Sequence, residues 1–315
     1  MKKKIFLSGT GGMLGEAFYE VFKKNYELKC TDIDVNEDWL EYLDFCDSDK
    51  YKLLVEKFSP NYLFHIGAFT DLEFCEKNET ETFKTNTDSV KTAVKISNKL
   101  NIPLLYISTA GIFDGLKEFY DEEDLPKPMG VYAISKYEAE KFVMQNCKKF
   151  LICRAGWMMG GGPKKDKKFV QKILKQIKEG KKELFIVDDK FGTPTYTYDF
   201  AKNTEALIDT KNYGLYNMAC QGNTSRYEVT EEILKILNLN NSINLKTIEE
   251  NSDNWISEGI ATKKGKIVSV DLNKMGYDKL LGTGSTEKTY KLTVNSASAK
   301  AVEKIESAGG EVING

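Results

Sequence analysis

The sequence predicts an α/β protein with a doubly wound parallel sheet, and two observations support this fold class. Short apolar runs rich in Ile, Leu, Phe and Val alternate with segments of helical periodicity from the start of the chain. A glycine-rich turn follows the first of these runs. Such alternation is typical of a parallel sheet that helices cover on both faces. The 315 residues suffice for one large domain or two modest ones.

The predicted elements follow one another as strand, helix, strand, helix, strand. The predicted strands are KKIFLSG, YELKCTDID, NYLFHIGAF, IPLLYIST and FLICRAGW. The predicted helices are GMLGEAFYEVFKK, DKYKLLVEKF, TDSVKTAVKISNKL and VYAISKYEAEK, where apolar residues recur at helical spacing with Lys and Glu between them. Each segment between strands is long enough to hold the crossover helix that parallel pairing needs.

Composition and charge exclude several classes of protein. The formal net charge of −2 gives no bulk attraction to nucleic acid or to anionic lipid. No apolar run approaches the roughly 18 residues of a membrane span. The start, MKKKIFLSGTGG, loses its apolar run too early for a signal peptide. We therefore expect a cytoplasmic protein with no membrane partner.

Cysteine and histidine usage argues against a disulfide framework and against a metal site. The six cysteines are irregularly spaced and form no Cys-x-x-Cys, which favours reduced core thiols. The single histidine, His65, lies in the apolar run NYLFHIGAF, where a satisfied strand-end histidine is favoured over a ligand. No metal ligand is predicted.

The first turn, SGTGGMLGEAF, places Gly9, Gly12 and Gly15 in a G-x-x-G-x-x-G pattern that opens the first helix. A dinucleotide pyrophosphate needs close backbone approach and the N–H groups of a helix N-terminus at such a position. The second strand ends at Asp32, where a carboxylate accepts hydrogen bonds from ribose hydroxyls and repels a 2′-phosphate. The pattern predicts nucleotide binding over a merely structural turn. It favours NADH over NADPH, a preference that Lys29 and neighbouring lysines could offset.

Tyrosine and lysine occur four residues apart at several places, a spacing that puts both side chains on one helix face. Roughly two such pairs are expected by chance in a chain this rich in both residues. The sequence holds four pairs, namely Tyr132/Lys136, Tyr137/Lys141, Tyr19/Lys23 and Tyr198/Lys202. The spacing alone therefore identifies no acid–base pair.

An ordered series of motifs resembles the extended short-chain dehydrogenase/reductase superfamily and, within it, the dTDP-4-dehydrorhamnose reductase family. The motifs are SGTGGMLG, HIGAFTDLEFCEKN, KTNTDSVKTA, YISTAGIFDG, VYAISKYEAEK, RAGWMMGGG and DDKFGTPTYTYDFAKN. The resemblance covers residues 1 to about 240. It implies a Rossmann-type sheet with a small substrate lobe from about residue 157.

The resemblance selects one of the Tyr/Lys pairs as catalytic. It implies that Tyr132, Lys136 and Thr109 reduce a nucleotide-linked 4-keto-6-deoxy sugar with NADH or NADPH. Tyr132 would protonate the developing alkoxide, Lys136 would lower the pKa of Tyr132 and hold the ribose, and Thr109 would hydrogen-bond the substrate oxygen. Tyr137/Lys141 falls about 140° further around the helix, where a solvated face with Glu138 and Glu140 is the favoured interpretation.

The resemblance also implies a set of cofactor contacts, many of which could equally be core residues at strand ends. They are Gly9, Thr10, Gly11, Gly12, Met13, Leu14, Gly15, Asp32, Ile33, Asp44, Phe45, Gly67, Ala68, Phe69, Asn86, Ser108, Tyr132, Lys136, Ala155, Gly156 and Trp157.

Two features depart from the family pattern. Thr109 is followed by Ala110 and Gly111, where these reductases usually have an aspartate, and the Asp-Glu pair of related dehydratases is missing. The family also ends its sugar-binding lobe with an Arg-Pro motif, whereas this chain has no arginine after Arg226. Substrate contacts from that segment do not carry over.

Residues 241–315 form a predicted small α/β module that resembles the C-terminal half of a large-subunit ribosomal protein of the L-fifteen type. The matching features are KIVSVDL, LLGTGSTEK, YKLTVNS and the helix SAKAVEKIESAGG with its glycine stop. From residue 242 onward the sequence contains ten lysines and ten acidic residues. Because this balance lacks the basic excess that phosphate binding needs, a fusion with no role in the chemistry is favoured over an RNA-binding module.

Three function classes remain open. The first is a nucleotide-sugar reductase. The second is an epimerase of the same superfamily, which would return the hydride to the sugar. The third is a non-catalytic nucleotide-binding subunit such as the reductase-like regulatory subunit of methionine adenosyltransferase, which the intact Thr109/Tyr132/Lys136 set disfavours. A homodimer stays open as the oligomeric state.

Overall fold

The computed structural model describes residues 2–181, 183–237, 239 and 242–315. The chain divides into two compact units between Arg226 and Tyr227. The predicted domain boundary between residues 240 and 241 lies outside the described residues. Across the described ranges, no helix has both the length and the apolar character needed to cross a membrane.

The first unit is built on a seven-stranded sheet in which every neighbouring pair is parallel. Its strands are β1 (Lys4–Ser8), β2 (Glu27–Asp32), β3 (Leu40–Tyr42), β4 (Tyr62–His65), β5 (Leu104–Thr109), β6 (Phe150–Ala155) and β10 (Gly214–Met218). They lie in the order β10-β6-β5-β4-β1-β2-β3. The order reverses beyond β1, which places a ligand-binding crevice at the carboxyl ends of the central strands. The predicted doubly wound α/β fold class is confirmed.

Helices connect these strands, and the sequence periodicity predicts four of them. They are α1 (Met13–Phe22), α2 (Ser48–Phe58), α3 (Leu72–Lys77), α4 (Glu79–Phe83), α5 (Ser89–Leu100), α6 (Val131–Asn146), α7 (Gly162–Lys165), α8 (Phe169–Lys178) and α9 (Thr197–Thr210). A π-helical turn at Lys84–Asp88 joins α4 to α5, and a 3₁₀ turn at Ala110–Ile112 follows β5.

Side chains of the central strands alternate between two core layers, as the two-residue period of a strand requires. Ile5 and Leu7 of β1 belong to a cluster with Phe18 of α1. Phe6, between them, belongs to a second cluster with Tyr51 of α2. All of these side chains are fully buried. The apolar runs of the sequence are therefore strands buried on both faces.

Short strand pairs form the lobe that follows β6. Strand β7 (Trp157–Met159) pairs in parallel with β9 (Pro194–Tyr196). Strand β8 (Phe191–Gly192) pairs antiparallel with β11 (Thr224–Ser225).

The second unit opens with most of helix α10 (Arg226–Ile236) and has its own core. Strands β12 (Ser242–Asn244), β15 (Lys279–Leu281) and β17 (Ser296–Ala297) form one sheet. A second sheet contains β13 (Ala261–Lys264), β14 (Ile267–Asp271), β16 (Thr289–Val294) and β18 (Glu311–Asn314). Helices α11 (Leu245–Ser257) and α12 (Ala299–Ser307) complete the unit. It is the small α/β module that the sequence predicts.

Candidate active site

Backbone contacts explain two of the three glycines in the first turn. Gly9 has a φ of 80°, in the left-handed region that glycine adopts readily. A Cβ there would lie 2.1 Å from the Cα of Gly67. A Cβ at Gly15 would lie 2.1 Å from the carbonyl oxygen of Thr10. The turn therefore packs backbone to backbone against the segment after β4 and against its own helix.

The N-terminus of α1 is open in the way that a bound phosphate requires. Gly12 occupies the cap position and makes no side-chain hydrogen bond. A Cβ at Gly12 would meet no atom within 4 Å. The first N–H groups of the helix, at Met13, Leu14 and Gly15, have no partners within the helix. This geometry fits the pyrophosphate of a dinucleotide.

Asp32 lies beside the glycine turn, where the sequence predicts a ribose contact. Its Oδ2 accepts a hydrogen bond from the Gly11 N–H at 2.7 Å, and its Oδ1 accepts one from the Asp34 N–H at 3.0 Å. Ile33 between them is exposed. These bonds fix the carboxylate next to the turn and leave lone pairs on both oxygens for further donors.

Asp44 and Phe45, two of the predicted cofactor contacts, lie in the loop that follows β3. The Asp44 Oδ1 accepts a hydrogen bond from the Cys46 N–H at 2.8 Å and so shapes the loop. The Phe45 ring packs edge-on against His65, with ring centroids 4.8 Å apart. Its Cε1 would lie 2.6 Å from a Cβ at Gly67. Phe45 therefore requires a glycine after β4.

Asn86 joins two parts of the predicted site. Its Oδ1 accepts from the Phe69 N–H at 2.8 Å, and its Nδ2 donates to the Phe69 carbonyl at 3.1 Å and to the Ser135 Oγ at 3.1 Å. The Ser135 hydroxyl donates to the carbonyl of Tyr132 at 2.8 Å. Ala68 and Phe69 are half-buried in the loop after β4. Asn86 thus ties this loop to the start of α6.

Helix α6 begins at a position fixed by another helix. Gly130 precedes it with a φ of 81°. The N–H of Val131 donates to Glu76 Oε1 at 2.7 Å. A carboxylate at this place satisfies a helix N–H and interacts favourably with the helix dipole. The start of α6 sets where Tyr132 lies.

Thr109 and Tyr132 lie together at the carboxyl end of β5. Thr109 is the last residue of β5, and its Oγ1 accepts from the Gly111 N–H at 3.1 Å. Burial raises the pKa of Tyr132, and a side-chain hydrogen bond with Thr109 opposes that rise. We expected Lys136 to lower the pKa of Tyr132, but this pKa is raised instead. The cost of removing the phenolate from water is the largest effect.

Lys136 is almost completely buried beside these residues. It is 3% exposed, and its Nζ lies 4.3 Å from the centroid of the Tyr106 ring. Burial lowers the pKa of Lys136 to about 7, while the charge of Glu140 acts in the opposite direction. The site therefore holds an amine that titrates near neutral pH.

His65 is a satisfied core residue, as its place at a strand end predicts. Its Nδ1 lies 3.0 Å from the Ser8 Oγ and 3.1 Å from the Tyr51 hydroxyl. Its Nε2 lies 3.0 Å from the Ser89 Oγ. Burial, with a smaller effect of the Lys136 charge, lowers the pKa of His65 to about 3. The imidazole is neutral at physiological pH.

The remaining predicted contacts lie at the ends of β5 and β6. Ser108 is 2% exposed, and its Oγ is one of the few buried polar atoms with no hydrogen-bond partner among the described residues. Ala155 ends β6 and pairs in register with Thr109. Both positions are compatible with a ligand at this edge of the sheet.

Gly156 and Trp157 pack against the lobe. A Cβ at Gly156 would lie 2.5 Å from the carbonyl oxygen of Thr193, which also accepts the Trp157 N–H at 2.8 Å. The guanidinium of Arg226 lies 4.6 Å from the centroid of the Trp157 ring. These contacts anchor the segment that leaves β6.

The structure corrects the placement of Glu140 on a solvated face. Glu140 is fully buried, and both its oxygens accept hydrogen bonds from Arg154 of β6, at 2.6 and 3.2 Å. It lies four residues after Lys136 and therefore shares the buried face of that lysine. Only Glu138 and Lys141 of that group form a surface pair, at 2.7 Å.

Lys165 is a second residue that sequence reasoning missed. Although it lies in the lobe helix α7, its buried Nζ donates to the carbonyl of Gly11 at 3.1 Å and to Asn36 Oδ1. It also pairs with Glu37 at 3.2 Å. We call Lys165 and these partners the lysine clamp. No local sequence signal identifies a contact between residues so distant in the chain.

Acidic, histidine and cysteine side chains do not converge into a metal-binding group of three or more anywhere in the part of the chain that the structure describes.

Two family models match the chain. Residues 3–254 match the RmlD substrate binding domain, which extends the similarity past the limit of about 240 given by the motifs. Residues 242–313 match a family of large-subunit ribosomal proteins that comprises 50S-L15, 50S-L18e and a related protein of the 60S subunit. The two matches overlap over residues 242–254, at the start of the C-terminal segment.

Individual proteins agree with the first match. The dTDP-4-dehydrorhamnose reductase of Aggregatibacter actinomycetemcomitans is 27% identical over 71% of this chain and 76% of its own length. Methionine adenosyltransferase 2 subunit beta of Danio rerio is 26% identical over 76% of each chain. A solved dTDP-4-dehydrorhamnose reductase from Bacillus anthracis, in complex with NADP, is 29% identical, with a TM-score of 0.69 over 76% of this chain and 82% of that one.

The family match, the parallel sheet and the Thr109/Tyr132/Lys136 site agree with one another. The chain therefore belongs to the dTDP-4-dehydrorhamnose reductase family, within the NAD(P)-dependent oxidoreductases of the short-chain dehydrogenase/reductase type.

Proposed function

We propose that the protein reduces a nucleotide-linked 4-keto-6-deoxy sugar with NADH or NADPH as the hydride donor. The observation that carries the proposal is that Thr109, the last residue of β5, lies against Tyr132 of α6, with Lys136 buried further along the same helix. Tyr132 and Lys136 lie one turn apart on α6. The Thr109 hydroxyl lies close enough to Tyr132 to oppose the rise in the pKa of that tyrosine, which places the end of β5 beside the start of α6.

The nucleotide-binding turn fits a nicotinamide dinucleotide. The glycine contacts described above allow close backbone approach, and the uncapped N-terminus of α1 would hold the pyrophosphate. Asp32 would hold the adenosine ribose, and Lys136 would hold the nicotinamide ribose. The bound dinucleotide supplies the hydride.

Tyr132 is the proposed proton donor to the developing alkoxide of the sugar. Thr109 would donate a hydrogen bond to the same oxygen and hold it near the Tyr132 hydroxyl. The positive charge of Lys136 would lower the pKa of Tyr132 as the proton leaves. Asn86 would keep the helix start in place through Ser135.

NADH is the proposed preferred cofactor. The Asp32 carboxylate lies against the turn through its bond with Gly11, and a 2′-phosphate would meet its negative charge. One lysine that could offset this charge, Lys29, forms an ion pair with Glu41 at 2.5 Å. That pairing supports NADH over NADPH.

The test is a turnover panel of nucleotide-linked keto sugars with NADH and with NADPH. Wild-type protein should consume NADH steadily with a 4-keto-6-deoxy sugar nucleotide. Tyr132→Phe should lower kcat by about 10²- to 10⁴-fold, the usual contribution of a general acid. Tyr137→Phe on the same helix is the matched control and should keep wild-type turnover.

Two results would contradict the proposal. Tyr132→Phe with wild-type turnover would remove the proposed acid. Turnover of the sugar without net oxidation of NADH would indicate an epimerase.

A non-catalytic nucleotide-binding subunit is the second candidate. It is favoured by the similarity to methionine adenosyltransferase 2 subunit beta. Tight binding of NADH or NADPH with no turnover of any sugar in the panel would support this candidate. The complete Thr109/Tyr132/Lys136 set supports the reductase instead.

A further inference from the structure

The buried face of α6 carries charge where helices usually carry apolar side chains. Lys136 and Glu140 are 3% and 0% exposed, and Arg154 of β6 is 3% exposed. Two positive charges and one negative charge therefore share a region without water. Charges in such a region are costly unless each is paired.

Glu140 accepts its hydrogen bonds from Arg154. The Arg154 NH2 donates to Oε1 at 2.6 Å and its Nε donates to Oε2 at 3.2 Å. The same guanidinium donates to Asn217 Oδ1 at 3.5 Å and lies 5.1 Å from the centroid of the Phe113 ring. This two-point geometry is the strong form of an arginine–carboxylate pair.

Lys136 depends on the same carboxylate from a distance. Its Nζ lies over the Tyr106 ring, which is a weak substitute for a counter-ion. Glu140 lies one helical turn away and is the group whose charge favours the protonated amine. The Glu140 carboxylate thus interacts with two cations: it accepts direct hydrogen bonds from Arg154, and its charge acts on Lys136 without a direct bond.

Other titratable groups near Lys136 are neutral or exposed. They are Tyr132 on α6, Tyr106 on β5 and His65 on β4. Within the described residues, Glu140 is therefore the buried anion able to compensate Lys136.

We propose that Glu140 is shared between Arg154 and Lys136, and that this sharing sets the pH at which Lys136 loses its charge in the active site. Glu140 and Arg154 are then positioning residues, which act on the reaction only through Lys136. The inference rests on the proposed function, because it assumes that Lys136 contacts the bound cofactor.

The two members of the pair should shift the titration of Lys136 in opposite directions. Glu140→Gln leaves two buried cations and no anion, so Lys136 should lose its proton at lower pH. Arg154→Met leaves Glu140 to Lys136 alone, so the proton should be kept to higher pH. The double variant removes one charge of each sign and should return the titration close to wild type.

The Kd of NADH, measured by nucleotide fluorescence between about pH 5 and pH 10, reports this titration. We expect about tenfold weaker binding once Lys136 is neutral, the usual effect of a lost charged hydrogen bond. The midpoint should fall by about one pH unit in Glu140→Gln and rise by about one unit in Arg154→Met. Glu138→Gln, which removes the surface partner of Lys141, should leave it unchanged.

If the midpoint pH of NADH binding shifts in the same direction in Glu140→Gln and Arg154→Met, or does not shift, the inference is overturned. A Glu140/Arg154 pair with a purely structural role would weaken NADH binding in both variants without moving their midpoints in opposite directions. If Glu140→Gln does not fold, the inference is tested by comparing Arg154→Met with the double variant. The rise in midpoint pH that is expected in Arg154→Met must then be absent from the double variant. No NADH binding by folded wild type at any pH would also overturn it. Opposite shifts in a protein that reduces no keto sugar would contradict the proposed function alone.

Discussion

At the scale of single residues, His65 couples the stability of the first unit to pH. Its ring is fully buried among Ser8, Tyr51 and Ser89, and its pKa falls to about 3 in the folded protein. The unfolded chain should titrate near the ordinary value of about 6.5. Between these values the unfolded state binds more protons, so the free energy of unfolding decreases as the pH falls.

We predict that the unfolded chain binds one more proton than the folded protein at His65, and that this proton makes the free energy of unfolding depend on pH. Between about pH 6.5 and pH 4, its contribution should lower the free energy of unfolding by about 1.4 kcal/mol per pH unit. In His65→Asn the curve should be flatter by that slope, although the variant is less stable overall. Urea unfolding at several pH values measures the free energy of unfolding of both proteins. If the wild-type and His65→Asn curves of this free energy against pH are parallel, His65 does not couple stability to pH.

Asp32 should decide between the two cofactors. Because its carboxylate lies against the nucleotide turn, Asp32→Asn removes the negative charge that a 2′-phosphate would meet. We predict that the ratio of kcat/KM for NADPH to that for NADH rises about tenfold. Asp34→Asn, which removes a charge that instead pairs with the Asn36 side chain, is the control. An unchanged ratio in Asp32→Asn would place the discrimination elsewhere.

At the scale of elements, the start of α6 depends on a carboxylate from α3. Glu76→Ala removes the acceptor of the Val131 N–H. We predict a loss of about 1 kcal/mol in the free energy of unfolding, as for other helix caps, and a lower kcat because Tyr132 is in the first turn. The Kd of NADH should change little.

Glu73→Ala, at an exposed position of the same helix, is the control for this prediction. Urea unfolding and steady-state kinetics measure the two effects. A Glu76→Ala variant with wild-type stability and kcat would show that α6 begins correctly without its cap.

Local periodicity accounts for what could be predicted from sequence at this scale. The five apolar runs became β1, β2, β4, β5 and β6, and the residues 131–141 became part of α6. The short strand β3 and the edge strand β10 were not predicted, because neither forms a long apolar run. Glu140 was misplaced because a charged residue usually indicates a solvated face, and its partner Arg154 comes from another element.

At the scale of the whole molecule, the second unit is balanced in charge. Lys274 pairs with Asp271 at 3.1 Å, Lys288 pairs with Asp253 at 2.9 Å, and Lys291 pairs with Glu311. Lysines held by carboxylates contribute little to phosphate binding. The family match to ribosomal proteins therefore does not by itself predict RNA binding by this chain.

We predict that the full chain binds structured RNA with a Kd weaker than about 1 μM at about 0.15 M salt. The charge reversals Lys263→Glu and Lys266→Glu should leave kcat/KM for the keto sugar unchanged. Fluorescence polarisation with a labelled hairpin and a kinetic assay measure these two outcomes. Tighter binding with a steep salt dependence would instead establish the second unit as an RNA-binding module.

The lysine clamp also bears on the order in which parts of the chain fold during synthesis. Lys165 and Gly11 are 154 positions apart in sequence. During synthesis the glycine turn leaves the ribosome long before the lobe helix that completes its contacts, and contacts of such separation form late in folding. A nascent chain that ends before the lobe should therefore present the glycine turn without the clamp that holds it in the complete protein.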